Sequence, residues 1–503
     1  MKIAFDNEKY LAAQKAAIFS RANSGAGRLY LEFGGKLSGD SHAARVLPGY
    51  DPDVKIRLLQ QLSEKADIII CIHAEDIEQK KIRADLGITY DNAALKLIDD
   101  LRACNIEVTA VVITRFTGQQ SAVDFHQRLS KHGLKVFFHQ TIPDYPNDLD
   151  MIVSAKGFGA NAYIPVTQQL VVVTGPGPSS GKMGTCLNQI YHEFENGSCA
   201  RYAKFETFPV WNLPLDHPLN HAYEAATADL RDYNALDNFH YDAYKVVAVN
   251  YNRDLQAFPL LRALLTRITG SNDGYQSPTD MGVNCIISGI IDDKCVQAAA
   301  KQEIIRRFLQ YEADFRLGRT ATDGAAVRAA EIMQKANMTI ADRKVLIAAR
   351  EAAKDCELRR KGDGGIYCGA AMQLHNGDLI TGKNSPLLHS SASMILNALK
   401  HLANIPDSQF ILLPEIVSSV AKFKYGLGSN SRVGLDLSET LIVLVVSASR
   451  DIYAQKALAC LPQLAYCDVH LSHYPSRGDE AGLRHLGCSY TYDPVMPTKN
   501  LFV

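Results

Sequence analysis

Short β-branched runs alternate with amphipathic stretches over the first 240 residues. Positions 29–33, 67–73, 108–114, 135–139, 170–174 and 202–208 read as strands. Between them, 53–64, 92–104 and 122–132 carry apolar residues at helical spacing. This alternation predicts an α/β domain over 1–240 with a largely parallel sheet and helices on both faces. Ligands of such sheets lie beyond the carboxyl ends of the strands, where glycine-rich turns fall.

From 241 to 365 the pattern turns mainly helical. Positions 298–311, 324–336 and 341–360 are long, charged and mostly without breakers, and 337–342 reads as a helix stop and a new start. The loop Arg359-Arg-Lys-Gly-Asp-Gly-Gly365 is the expected boundary, its basic triplet suited to the negative pole of a helix. Alternation returns over 366–503. There, 367–374 and 378–381 flank the hairpin signal His375-Asn-Gly377, a helix is expected over 390–402, and 410–413, 441–447 and 466–471 read as further strands.

Composition narrows the function classes. The 53 Lys and Arg against 54 Asp and Glu leave a formal charge of −1, which gives no reason to expect a nucleic acid or a membrane surface as partner. No stretch approaches the roughly 20 apolar residues of a membrane span. Charges among the first ten residues also occupy the place of a signal peptide's apolar core, so a cytoplasmic location is expected. The 11 cysteines include no C-x-x-C pair, as suits reduced thiols rather than a zinc ribbon or redox pair. Cys186 reads as a small core residue. A homo-oligomer is expected, because large cytoplasmic α/β proteins usually form closed symmetric assemblies.

The richest chemistry lies at Leu170-Val-Val-Val-Thr-Gly-Pro-Gly-Pro-Ser-Ser-Gly-Lys-Met-Gly-Thr185: a buried strand, a glycine-rich turn and a helix start. Backbone amides of such a turn, the positive end of a helix and a lysine ammonium together suit a phosphate. Gly175, Gly177, Ser179, Ser180, Gly181, Lys182 and Thr185 are therefore the expected ligand-binding residues. The loop diverges from G-x-x-x-x-G-K-[ST] in two respects. Gly175 stands one residue too far from Gly181, with Pro176 where the first glycine belongs, and Met183 replaces the hydroxyl that would ligate Mg²⁺. Dethiobiotin synthetases have the same longer spacing and CTP synthases a divergent Gly-Lys turn, which the loop resembles more than it does those of GTPases.

Further groups belong with this turn. Glu206, on the strand after the phosphate-loop helix, is the preferred Mg²⁺ ligand or general base, with an ion pair to Lys204 as the structural alternative. Thr185 is the other Mg²⁺ candidate. Gly34, Gly35 and Lys36 end the first strand on the same expected edge, and Arg45 follows closely; these are the expected contacts to a substrate carboxylate or phosphate. Ser277-Pro-Thr-Asp280 reads first as a helix cap and otherwise as a loop closing over ligand. Trp211 reads as packing. Neither Asp216-His-Pro-Leu-Asn-His221 nor Asn250-Tyr-Asn-Arg-Asp254 contains a complete triad or metal spacing.

Five segments, Glu32-Phe-Gly-Gly-Lys36, Arg83-Ala-Asp-Leu-Gly-Ile-Thr-Tyr-Asp91, Pro176-Gly-Pro-Ser-Ser-Gly-Lys-Met183, Lys204-Phe-Glu-Thr-Phe-Pro-Val-Trp-Asn-Leu-Pro214 and Ser277-Pro-Thr-Asp-Met-Gly-Val-Asn284, make nearly the whole chain resemble uncharacterised protein family 0371, also called domain of unknown function 1846. The resemblance implies a bacterial cytoplasmic protein with a nucleotide-fold N-terminal part, a helical middle and an α/β C-terminal part. It implies no reaction. The C-terminal part is also faintly similar to the cytidine-deaminase fold, with Leu388-His-Ser-Ser-Ala392 and Leu413-Pro-Glu-Ile-Val417 at the positions of the zinc motifs. Only His389 survives there, so no zinc is expected. The function expected is an ATP-binding enzyme of ligase or kinase type, with Mg²⁺, acting on a small metabolite. The alternative is a non-catalytic sensor of a phosphorylated ligand, or an oligomeric scaffold.

Overall fold

The computed structural model describes residues 3–83, 86–271, 274–426 and 434–498. Ala84 and Asp85 of the 83–91 motif, and Met1 and Lys2 of the N-terminal segment, lie outside the described residues. The chain divides into two compact units. The first comprises Ile3–Glu224 and Asp232–Gln297; the second comprises Ala225–Arg231 and the chain from Ala298 onward.

The first unit is built on a seven-stranded sheet. Strands β1 (Arg28–Phe33), β2 (Ala66–His73), β3 (Ala110–Phe116), β4 (Val136–Gln140), β5 (Leu170–Thr174), β6 (Ala200–Phe205) and β7 (Gly282–Val283) lie in the order β7-β6-β1-β5-β2-β3-β4. All neighbouring pairs are parallel, as the intervening helices require. These include α1 (Asn7–Asn23) before the sheet, α2 (Val54–Leu62), α3 (Tyr90–Ala103), α4 (Gln120–Lys131), α5 (Lys182–Glu195) and α6 (Asn252–Thr269). β5 is fifth of the sheet strands in sequence but central in space, and its continuous Val171-Val-Val173 run is buried on both faces.

Tyr30, Ile69, Val112, Val171 and Val173 meet Cys186, Leu187 and Ile190 of α5 and Phe258, Leu261 and Leu264 of α6 in one core. Each such side chain contributes about 1.5–3 kcal/mol when fully buried. Burial pushes the Cys186 thiol well above its ordinary range. The expected 202–208 strand stops at Phe205, because Asn284 Nδ2 captures the carbonyls of Thr207 (3.1 Å) and Pro209 (2.9 Å).

The second unit has a four-stranded sheet. Strands β8 (Gly369–Gln373), β9 (Leu379–Lys383), β10 (Asp468–Leu471) and β11 (Ser489–Tyr492) lie in the order β9-β8-β10-β11, with only the β10/β11 pair parallel. Its helices include α7 (Asp293–Arg316), inside which the division between units falls, α8 (Gly324–Lys335), α9 (Lys344–Leu358), α10 (Ser390–Leu402), α11 (Leu437–Ala448) and α12 (Arg477–His485). The helical stretch 241–365 is thus shared between units. α9 packs against β8 so closely that a Cβ on Gly369 would stand 2.3 Å from the Ala349 carbonyl oxygen.

Two expected strands are not strands. The β-branched run 441–447 lies in α11, whose start is set by a reciprocal cap: Glu439 N donates to Asp436 Oδ1 (2.9 Å), and Asp436 N donates to Glu439 Oε2 (3.0 Å). Leu444 is buried while Ile442 and Val445 are exposed. Residues 410–413 form a loop before the helix Pro414–Gly426, and Leu413 N donates to Ser447 Oγ (3.0 Å) instead of to a neighbouring strand. Among the described residues no helix is long and apolar enough to cross a membrane.

Asp436→Ala removes one half of the cap that makes a helix of a strand-like sequence. The expected loss is about 1 kcal/mol, seen as a lower urea midpoint for the second unit. An unchanged midpoint would show that packing alone specifies α11.

Candidate functional site

The turn after β5 is clamped over the carboxyl edge of the sheet. Gly181 takes φ 87°, and a Cβ there would stand 2.7 Å from the Thr114 side chain at the end of β3. The Thr114 hydroxyl donates to Ser180 O (2.8 Å), so the turn reaches across β2 to β3. A Cβ on Gly175 would meet Cys71 O at 2.4 Å, and one on Gly177 would meet the Tyr90 ring at 2.3 Å. Ser179 also takes positive φ, at 57°. No side chain larger than hydrogen fits at any of the three glycines without displacement.

Lys182 opens α5, with its Nζ donating to Gly177 O (3.1 Å) and Ser180 Oγ (3.3 Å). The ammonium therefore lies over the turn, held by neutral acceptors. Met183 packs toward the core. Thr185 is buried, and its hydroxyl accepts from the Cys71 thiol (3.3 Å). That side chain faces β2, not the open side of the turn.

The end of β1 is brought beside this turn. Glu32 pairs with Val173 in the β1/β5 register, which places Gly34 abreast of Gly175 one strand away. Gly34 N donates to Phe205 O (3.0 Å). Lys36 is half-buried, as is Arg45 on the short helix Ser41–Val46. Lys55 of α2 is fully buried, donates to Asp40 Oδ2 (2.8 Å), and has its Nζ 2.9 Å from where a Gly35 Cβ would be. Burial would raise the Asp40 carboxyl, but the Lys55 ammonium brings it below its ordinary range.

Glu206 belongs to a different cluster on the same edge. Its Oε1 pairs with Lys204 Nζ (2.7 Å) and accepts from the Tyr251 hydroxyl (2.8 Å). Lys204 also contacts the Tyr251 hydroxyl and Asp254, in the first turn of α6. Two carboxylates thus share one partly buried ammonium. Burial pushes Glu206 up to about 7, with Lys204 opposing and Asp254 adding to the rise. Burial would lower Lys204, but Asp254, Glu206 and Glu32 hold it well above its ordinary range. β6 lies two strands from β5, about 10 Å at the usual strand spacing.

The other segments have structural places. Trp211 Nε1 donates to Asn284 O (3.3 Å), and His217 Nε2 lies 3.0 Å from Asp293 Oδ1. Ser277 caps the short helix Pro278–Met281, and the next two residues form β7, so 277–284 is built into the sheet edge. Sequence reasoning passed over Thr114 and Tyr90, whose contacts depend on loops crossing the sheet. It marked 250–254 as polar without assigning Tyr251 and Asp254 to Glu206; their position where a short strand meets α6 was the available signal.

Residues 3–337 match the domain of unknown function DUF1846, N-terminal, and residues 341–502 match its C-terminal counterpart. The chain belongs to the DUF1846 family. It is similar to a UPF0371 protein of Clostridium botulinum (strain Alaska E43 / Type E3), at 47% identity over 503 residues, covering 100% of this chain and 99% of the relative. It is equally similar to a UPF0371 protein of Clostridium tetani (strain Massachusetts / E88), at 47% over 502 residues, with 100% and 99% coverage. The gap between the two DUF1846 segments falls where Asn337 takes φ 50° and Thr339 and Asp342 cap a new turn. Membership in this family of unknown function assigns no reaction. Among the described residues, no three or more His, Cys, Asp or Glu are grouped to hold a metal.

Glu206 sets a pH test. An unfolded Glu titrates near 4.5 and the folded one near 7, so the folded state holds a proton that the unfolded state has released. Stability from this group therefore falls as pH rises from about 4.5 through 7. Glu206→Gln lacks that loss. Its melting temperature, relative to the parent, is expected to rise between pH 5 and 8.5; a pH-independent difference would contradict the shift.

Proposed function

We propose that the first unit binds a phosphate-bearing ligand at 175–182, ATP being the nucleotide favoured, and uses it on a small metabolite as an ATP-dependent ligase or kinase does. The observation that carries this reading is the placement of Lys182 at a helix start with its ammonium over Gly177 O and Ser180 Oγ, acceptors that a phosphate oxygen can replace. Three glycines whose Cβ positions are already filled by neighbours leave backbone rather than side chains facing the ligand. The buried Thr174 hydroxyl at the base of the turn has no hydrogen-bond partner among the described residues, which also favours a polar occupant.

In this reading the amides of 175–181 and the first turn of α5 cradle the phosphates, and Lys182 neutralises charge on the transferred group. Glu206, pushed up to about 7, accepts a proton from the metabolite's attacking group. Lys36 and Arg45, near the Gly34-Gly35 turn, hold the metabolite's carboxylate or phosphate. Alternatively to taking that proton, Glu206 would be the residue to hold Mg²⁺, which would supply charge neutralisation for the phosphates, because the Thr185 hydroxyl faces the core.

That inward Thr185 and the Met183 substitution favour a second reading, a sensor or scaffold that binds a phosphorylated ligand without turning it over. Thermal shifts with nucleotides and sugar phosphates separate the two: Mg²⁺-dependent stabilisation by ATP supports catalysis, and Mg²⁺-independent stabilisation supports sensing.

Lys182→Ala is the decisive variant. It leaves strand, turn and helix start in place, so stability should change by less than about 1 kcal/mol. Loss of one charge-assisted contact should weaken ATP binding by about 1.5–3 kcal/mol, roughly ten- to a hundredfold by calorimetry. Unchanged affinity would remove the phosphate reading.

A further inference from the structure

In the second unit, three helix starts converge on one carboxylate. Asp479, in the first turn of α12, is buried and accepts from His389 Nδ1 (2.7 Å), Ser391 Oγ (2.5 Å), Ser476 Oγ (2.8 Å) and Leu437 N (3.0 Å). His389 caps α10, Leu437 opens α11 and Ser476 caps α12. Burial would raise the Asp479 carboxyl, but the His389 bond and charge and the two serine hydroxyls bring it down to about 2. A carboxylate so fully occupied fixes the imidazole: Nδ1 carries the proton toward Asp479, and Nε2 is left as a lone pair. The His389 ring is 38% exposed. This is the base-and-orienter half of a catalytic triad; among the described residues no side chain is bonded to Nε2.

The surroundings differ from those of an ordinary ion pair. His401 and Asp378, 2.8 Å apart, are both about half exposed, whereas Asp479 is sealed. His473 follows β10, the strand that leads into α12, and its Nδ1 is buried without a hydrogen-bond partner. It lies close enough for Asp479 and His389 to act on it electrostatically, and burial keeps it neutral, down to about 4. Next to His389, Ser390 has a buried hydroxyl with no hydrogen-bond partner among the described residues, and the first amides of α10 have no acceptor within their own helix. The site sits at the carboxyl end of a parallel strand pair, where α/β sheets place their ligands.

We propose that the second unit carries a reaction centre of its own, in which His389 is the general base and Asp479 its positioning residue for hydrolysis of a small ester by water. Water gives a proton to Nε2 as its oxygen adds to the carbonyl carbon. The carbonyl electron pair moves onto oxygen. Collapse breaks the bond to the alcohol oxygen, which takes the proton back from Nε2, leaving acid and alcohol. Burial lowers the His389 pKa, Asp479 and Asp436 raise it, and Lys424 opposes them; the balance lies above 6.5. The base is therefore active on the alkaline side of that value.

The test is hydrolysis of p-nitrophenyl acetate by the full chain between pH 5.5 and 9, with product measured by chromatography. The rate should rise with pH through an inflection above the ordinary imidazole value. His389→Gln should lower it on the order of tenfold or more, Asp479→Asn should lower it and move the inflection down, and His401→Gln should leave it unchanged. If Asp479→Asn does not fold, His389→Gln still decides, because its ring is partly exposed. A folded His389→Gln protein, by circular dichroism, that hydrolyses the ester within about twofold of the parent would overturn the proposal.

Discussion

Close approach of backbone at the carboxyl edge of the seven-stranded sheet is the constraint on which the first unit depends. Between Thr174 and Lys182 the chain leaves a strand buried on both faces, crosses over β2 and enters α5, and at three points neighbouring atoms occupy the space of a Cβ: Cys71 O at Gly175, the Tyr90 ring at Gly177 and Thr114 at Gly181. Gly181 must also hold a left-handed conformation, which a β-branched residue tolerates poorly. These contacts aim Lys182 over the turn rather than into solvent, and the same clamp turns Thr185 inward.

Buried charge is handled in two ways around that edge. Glu193 in α5 is satisfied by Arg28, Tyr30 and Tyr163 (2.7–2.9 Å), and Lys55 by Asp40, so these groups brace the helices against β1. Lys204, Glu206 and Asp254 are different, because one ammonium meets two carboxylates. Burial brings Glu206 up to about 7, with Lys204 opposing and Asp254 adding to the rise.

The second unit reaches a comparable result with different parts. Side chains at the starts of α10 and α12 and the Leu437 amide at the start of α11 converge on Asp479. The His389 bond and charge and the two serine hydroxyls keep the sealed carboxylate ionised, and it in turn holds the His389 ring in one tautomer. Gly478 and Gly482 are small because Asp436 and Leu437 press against them, so the packing of α12 on the start of α11 and the orientation of the histidine come from one arrangement.

The sequence by itself determined the alternation of strand and helix, the buried strand, glycine-rich turn and helix start at 170–185 and the family, because periodicity and glycine-lysine spacing are local properties written in consecutive residues. The Ser390–Leu402 helix and the Leu170–Thr174 strand were legible to the residue. Residues 441–447 were not: a β-branched run suits either state until a cap at Asp436 and Glu439 decides. Nor could spacing reveal that residues 241–365 are shared between two units, that Tyr251 and Asp254 join Glu206, or that His389 meets Asp479 across 90 residues. Those pairings depend on which strand ends and helix starts the folded chain brings together, and only the tertiary structure decides that, since burial and charge arise from neighbours distant in the chain.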